Sequence, residues 1–199
     1  CFYSNLYIGG FRKYGSIGHN YYGLAVNNRI NVVHEWAASV DGAARTVNLA
    51  SGGKLSYDKL VLSPGIALKY DSIAGYSPQA QGRMPHGWTS GTQAQQIRNQ
   101  VLTMKEGGTF VMVPPPNPYR CPPGPYERAS MIAHLLQERN PTAKIIVLDP
   151  KEKFSKMGLF TAGWEKHYPG MIEWILKLAG HLASREMQAM AAGEHARLC

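Results

Sequence analysis

Cysteine is scarce in this chain: Cys1, Cys121 and Cys199 are the only three among 199 residues, and no two stand at metal-ligand spacing. The seven histidines form no zinc pattern, and His34-Glu35 has no second histidine where a helical site would need one, so a structural metal is not expected. No window approaches the roughly 18 uninterrupted apolar residues of a membrane-spanning helix, so no transmembrane segment is expected. Repeats and low-complexity tracts are absent, and so are dense runs of Lys and Arg. With 21 basic against 13 acidic residues the net charge is +8 and the pI about 9.4, a field that favours anions. The closest basic groupings (Arg12-Lys13, Lys151 to Lys156, Lys166) are broken by acids or aromatics, which argues against nucleic acid as a partner. The first residues hold neither an initiator Met nor a basic stretch followed by an apolar one, so the true start, with any export signal, is expected to lie upstream.

What is present is ordinary globular material, 44% hydrophobic and 10% aromatic. Residues 30 to 36, 45 to 49 and 59 to 63 read as strands, with Gly52-Gly53 as a hairpin turn between the last two. The third of these runs into Ser63-Pro64-Gly65, a corner where the bare Gly65 lets backbone approach a ligand, although such a corner taken alone is more often only a turn. A helix is predicted from Thr92 to Met104, with Ile97, Val101, Leu102 and Met104 on one side, ended by Gly107-Gly108 ahead of an apolar strand from Thr109 to Val113. The next helix should open at Pro125 and carry Ala129, Ile132, Ala133 and Leu136 at i, i+3, i+4, i+7 spacing until Asn140-Pro141 stops it. Lys144 to Leu148, closing on Asp149-Pro150, completes strand, helix and strand over about forty residues, the size of a βαβ unit.

In a dinucleotide-binding unit the loop after the first strand is Gly-rich, because backbone N–H groups must come close to a pyrophosphate. Here that loop is Pro114-Pro115-Pro116-Asn117-Pro118-Tyr119-Arg120-Cys121-Pro122-Pro123-Gly124-Pro125, whose prolines lack those donors. The frame of a nucleotide domain is kept and its phosphate cradle is not, which leaves Asp149 as a plain strand-end residue rather than a ribose ligand. The loop offers Cys121 instead, just ahead of a helix N-terminus and one residue after Arg120, a setting that favours thiolate. Six residues on, Glu127 lies in the first turn of the same helix, either a proton acceptor for a group at the sulfur or only a favourable partner for the helix dipole.

The run Tyr119-Arg120-Cys121-Pro122-Pro123-Gly124-Pro125-Tyr126-Glu127-Arg128-Ala129 resembles a signature of the flavin subunit of flavocytochrome c sulfide dehydrogenase. Cys1-Phe2-Tyr3-Ser4-Asn5 with Ile8-Gly9-Gly10, Tyr57-Asp58 with Ser63-Pro64-Gly65, Gly75-Tyr76, Pro85-His86-Gly87-Trp88, and Phe154-Ser155-Lys156 with Gly163-Trp164-Glu165 follow in that family's order, so the resemblance covers about residues 1 to 174. It implies an α/β protein with a glutathione-reductase-like FAD/NAD(P)-binding fold. Residues 1–75 would close the first segment of the FAD domain, 76–174 would form a second, NADH-domain-like α/β domain that uses no NADH, and 175–199 a divergent helical tail. By position Cys1 corresponds to the cysteine that links covalently to the flavin, and Cys121 to one half of a redox-active disulfide. Glu127 corresponds to the acid proposed to take the proton, and Ser63, Pro64 and Gly65 to a flavin-side motif. The implied chemistry is oxidation of hydrosulfide with FAD as cofactor and electrons passed to a haem-bearing cytochrome c subunit, in the bacterial periplasm.

The chain departs from that pattern at both ends. The first strand and the Gly-rich loop for the FAD pyrophosphate are not in it, so the chain alone is not expected to bind FAD. Ile172 to Leu198 reads as a helix where the family should continue with strands and a second redox cysteine, which makes Cys199 a poor partner for Cys121. Two other readings stand beside the cytochrome-linked one: a sulfide:quinone oxidoreductase, which shares the fold and disulfide logic, and a non-catalytic remnant or assembly module that binds only a partner subunit.

Overall fold

The computed structural model describes residues 3–73, 75–89 and 91–176, which fall into two compact units, one of His19–Leu68 and the other of Cys1–Gly18 with Lys69–Cys199. The larger unit opens with a short helix, α1 (Ser4–Ile8), whose Ser4, Asn5 and Ile8 are buried. The smaller unit begins with α2 (Tyr22–Asn28), all of it on the surface, and then carries three antiparallel strands, β1 (Ala37–Asp41), β2 (Thr46–Leu49) and β3 (Lys54–Ser56). The Asp41 side chain accepts the Ala44 N–H at 2.9 Å and closes the β1–β2 turn. Gly52, at φ 93°, allows the turn into β3.

These turns shift two of the expected strands. The Asp41 turn sets a register that pairs Asp41 with Thr46 and Ala37 with Leu49, so residues 30–36 find no ladder and are not a strand. The glycine turn is where it was expected, but β3 follows at once and satisfies β2, so residues 59–63 run on without a partner. Every residue described in this unit is exposed or only partly buried, including Trp36 at 84% and Val61 at 88% exposure.

In the larger unit α3 (Thr92–Leu102) leads through a turn to β4 (Thr109–Met112), then α4 (Gly124–Arg139), β5 (Lys144–Asp149), α5 (Met157–His167) and β6 (Ile172–Leu176). The strands form a parallel sheet in the order β4-β5-β6, with Thr109 opposite Lys144 and Ile145 opposite Ile172. The predicted stripe on α4 is the core: Ala129, Ile132, Ala133 and Leu136 are all buried, against Ile145 and Val147 of β5. The small Ala129 and Ala133 allow the helix close to the sheet. On α3, Ile97 and Val101 turn inward while Leu102 is 45% exposed, because the helix ends there. Asn140 latches the next turn, accepting the Gly107 N–H at 3.0 Å and donating to the Lys105 carbonyl at 2.7 Å.

Residues 172–176 are a strand, not the start of a helix. The crossover through α5 returns the chain beside β5, where backbone pairing and the packing of a partly buried Trp174 against the core decide the local structure over helix propensity. The remainder of the expected helix lies outside the described residues. None of the helices described is long and apolar enough to cross a membrane.

Candidate active site

The prolyl loop leaves the carboxyl end of β4 and returns as the start of α4, the place in an open parallel sheet where ligands usually bind. Several of the donors there are engaged or missing. The Gly124 N–H bonds the Cys121 carbonyl at 2.9 Å, Pro125 has none, and the Glu127 N–H bonds the Pro123 carbonyl at 3.0 Å. These three positions offer a pyrophosphate no donor.

Beneath the loop sits Asp149, fully buried at the end of β5. One carboxylate oxygen, Oδ1, accepts the Lys151 backbone N–H at 3.1 Å and lies 2.6 Å from the Lys151 ammonium. The other, Oδ2, accepts the Tyr126 hydroxyl at 2.5 Å and the Trp174 indole N–H at 3.0 Å. Burial first, and then the Asp149 hydrogen bond, hold the Tyr126 hydroxyl far above the ordinary phenol range, so it remains a donor. The Lys151 ammonium also bonds the Pro115 carbonyl at 2.8 Å and lies 5.0 Å from the centre of the Tyr119 ring. The acid that would hold a ribose is thus the anchor of the loop, a role that its position at a strand end does not reveal. Tyr126 is in turn stacked on Phe154 at 3.7 Å between ring centres, with Phe160 and Trp164 beyond.

On this base the loop presents Cys121, an exposed free thiol in the left-handed region at φ 56°. A side chain at Gly124 would stand 3.3 Å from the Cys121 sulfur and 3.9 Å from the Trp88 ring, so glycine leaves the space over the helix end open between them. Trp88 meets the Tyr119 ring edge-on at 6.0 Å, and the Tyr119 hydroxyl donates to the Pro122 carbonyl at 2.7 Å.

Glu127 is exposed on the same helix end, so the structure places both predicted catalytic side chains on one short stretch of chain. Its Oε2 accepts the Asn5 amide at 2.6 Å, and Asn5 also donates to the Gly124 carbonyl at 3.3 Å. Arg128 closes the group, giving its Nε–H to Asn5 Oδ1 at 3.0 Å and its terminal nitrogens to the carbonyls of His86 at 3.1 Å and Gly87 at 2.8 Å. Burial pushes the Arg128 guanidinium down to about 10, against the raising influence of Glu127 and then Cys121, and it stays charged at neutral pH. Gly87, at φ 63°, is required here, since a Cβ would lie 2.6 Å from Ile97 Cδ1 and 2.7 Å from Arg128 Nη1. His86 is held neutral, with burial first and Arg128 second lowering its pKa; Nδ1 accepts the Trp88 N–H at 2.9 Å, and Nε2 faces Gln81 Oε1 at 3.2 Å. Asn5 and Arg128 are partners that reasoning on catalytic residue types passed over. Both lie inside the sequence stretches that carry the family resemblance, the one signal that pointed to them.

Three of the expected cofactor residues belong to the smaller unit. Ser63, Pro64 and Gly65 are exposed and outside any helix or strand there, with Gly65 at φ 83° and open space where a Cβ would project. The backbone of that corner is open to approach from solvent. Cys1 lies outside the described residues, as does Cys199.

Among solved structures, the sulfide:quinone oxidoreductase of the hyperthermophilic bacterium Aquifex aeolicus shares this fold at a TM-score of 0.65 and 19% identity. The match covers 89% of this chain and 43% of that one, so the chain spans less than half the length of that relative. A chain of the Tetrahymena thermophila mitochondrial ATP synthase matches at a TM-score of 0.42 and 19% identity, over 71% of this chain and 37% of that one. Residues 94–197, which include the Cys121 loop, Glu127 and Arg128, match the family described as sulfide dehydrogenase (flavocytochrome c) flavoprotein chain, central, and the chain belongs to that family.

Proposed function

We propose that this chain forms part of an FAD-dependent enzyme that oxidises hydrogen sulfide at a disulfide containing Cys121 and passes the electrons to a haem-bearing cytochrome c subunit in the periplasm. The observation that carries the reading is the end of α4. A solvent-facing thiol just ahead of the helix and a carboxylate in its first turn lie six positions apart, in a domain whose nucleotide cradle is closed by proline and whose strand-end acid is internally bound.

In this reading hydrosulfide attacks one sulfur of the disulfide. An S–S bond forms to the substrate sulfur, the original S–S bond breaks, and the second cysteine leaves as thiolate. Glu127 takes the proton that the substrate sulfur gives up, on the oxygen that does not face Asn5. Cys1, Ser63, Pro64 and Gly65 would hold FAD, which when bound supplies the two-electron acceptor for this chemistry. The oxidising compartment allows the disulfide to persist, and the positive net charge favours an anionic substrate.

The test uses the complete flavoprotein. Cys121→Ser is expected to abolish flavin bleaching by sulfide while the protein keeps its yellow colour through acid precipitation, and Cys1→Ser is expected to release that colour into the supernatant. Sulfide-dependent bleaching at the wild-type rate in Cys121→Ser would refute the disulfide route. Colour that leaves the wild-type protein in acid would refute the covalent link.

A further inference from the structure

Asn5 lies in α1, 116 positions before Cys121 in sequence, and its contacts join the segment that follows Cys1 to the first turn of α4. It is 7% exposed, and both ends of its side-chain amide are engaged. The orientation of that amide is dictated. A guanidinium can only donate, so the atom facing Arg128 Nε at 3.0 Å must be Oδ1, and Nδ2 is left to face Glu127 and Gly124. Arg128 is itself immobilised by the His86 and Gly87 carbonyls, and Gly87 can come that close only because it lacks a Cβ. The other end of α1 is also tied, since Arg98 Nη1 donates to the carbonyls of Tyr7 and Ile8, each at 2.8 Å. Direction therefore passes from the fixed cation through Asn5 to one oxygen of the carboxylate.

From this we infer that Asn5, oriented by Arg128, is a positioning residue that holds the Glu127 carboxylate at one oxygen and keeps the segment after Cys1 in register with the helix end bearing Cys121. The inference deepens the proposed role of Glu127 as proton acceptor and rests on it. Asn5 does not exchange a proton; it leaves the second carboxylate oxygen as the one that faces the substrate.

The experiment compares wild type, Asn5→Ala, Asn5→Asp, Glu127→Gln and the double variant Asn5→Ala/Glu127→Gln in the complete flavoprotein, following flavin reduction at varied sulfide. Asn5→Asp keeps the size and the Arg128 contact but replaces the amide donors with a second carboxyl group against Glu127, so it stands in if the alanine variant does not fold. Glu127→Gln is expected to slow reduction by about 100-fold. The two Asn5 variants should slow it by about 10-fold with KM unchanged, and Asn5→Ala should add nothing in the Glu127→Gln background. Amide hydrogen exchange over Tyr7–Gly10 reads the same joint without turnover and should quicken by about 10-fold in Asn5→Ala. Wild-type rates in both Asn5 variants, a loss that persists undiminished on top of Glu127→Gln, or unchanged exchange would overturn the positioning role. A wild-type rate in Glu127→Gln would instead overturn the reading of Glu127 as proton acceptor.

Discussion

His86 shows how a single side chain couples this region to pH. Its Nδ1 must be unprotonated to accept the Trp88 N–H, and burial and the Arg128 charge both oppose a second proton on the ring. The folded pKa therefore lies below the ordinary 6.5, and as pH falls the unfolded chain takes up the proton first. The stability that His86 contributes is present above pH 6.5 and declines as pH drops below it toward the folded value. Urea unfolding at about pH 7.5 and about pH 5.5 should show a lower midpoint in acid, and His86→Asn, whose oxygen can replace Nδ1, should flatten that difference. An equal slope in both proteins would locate the pH sensitivity elsewhere.

At the scale of elements, the anchor around Asp149 joins β5, β6, α4 and the prolyl loop through one carboxylate and one ammonium. Lys151→Met would leave a fully buried carboxylate without its ion partner and the Pro115 carbonyl without its donor. The expected loss is about 3–5 kcal/mol by urea denaturation, and a loss below about 1 kcal/mol would mean that Tyr126 and Trp174 alone satisfy the acid. None of this network was legible in the sequence, because its tyrosine and tryptophan lie 23 and 25 positions from the acid and leave no local pattern beside the lysine two residues on. Elements with a strong period were legible: α4 through its Ala129-Ile132-Ala133-Leu136 stripe, and β4 and β5 as apolar runs between turn residues. Strands whose existence depends on a partner were displaced. Residues 30–36 and 59–63 had the composition of strands but lost the pairing to 37–41 and 54–56, and 172–176 had the composition of a helix but gained a neighbour in β5. The site was read through Cys121 and Glu127, whose chemistry is conspicuous, while Asn5 and Arg128 act only through where the fold puts them.

Taken as a whole, the chain is two units of unequal standing. The larger has a continuous core from Ile8 through α3 and α4 to β5, whereas none of the described residues of His19–Leu68 is buried. A three-stranded antiparallel sheet without a buried face is marginal by itself. Amides of β1, β2 and β3 are thus expected to exchange at least about 100-fold faster than those of β5. Comparable protection would show that the smaller unit draws stability from burial beyond these residues.

Asp149 also bears on how easily this domain could be given nicotinamide chemistry. Placing glycines in the prolyl loop would give phosphate a cradle, yet the ribose would meet an acid already bound by a tyrosine, a tryptophan and a lysine. Releasing the acid first would strand those three donors in the core, a loss of stability with no gain in binding. Each single change is unfavourable before any benefit appears, so a nicotinamide site could be built here only by altering the loop and the Asp149 cluster together.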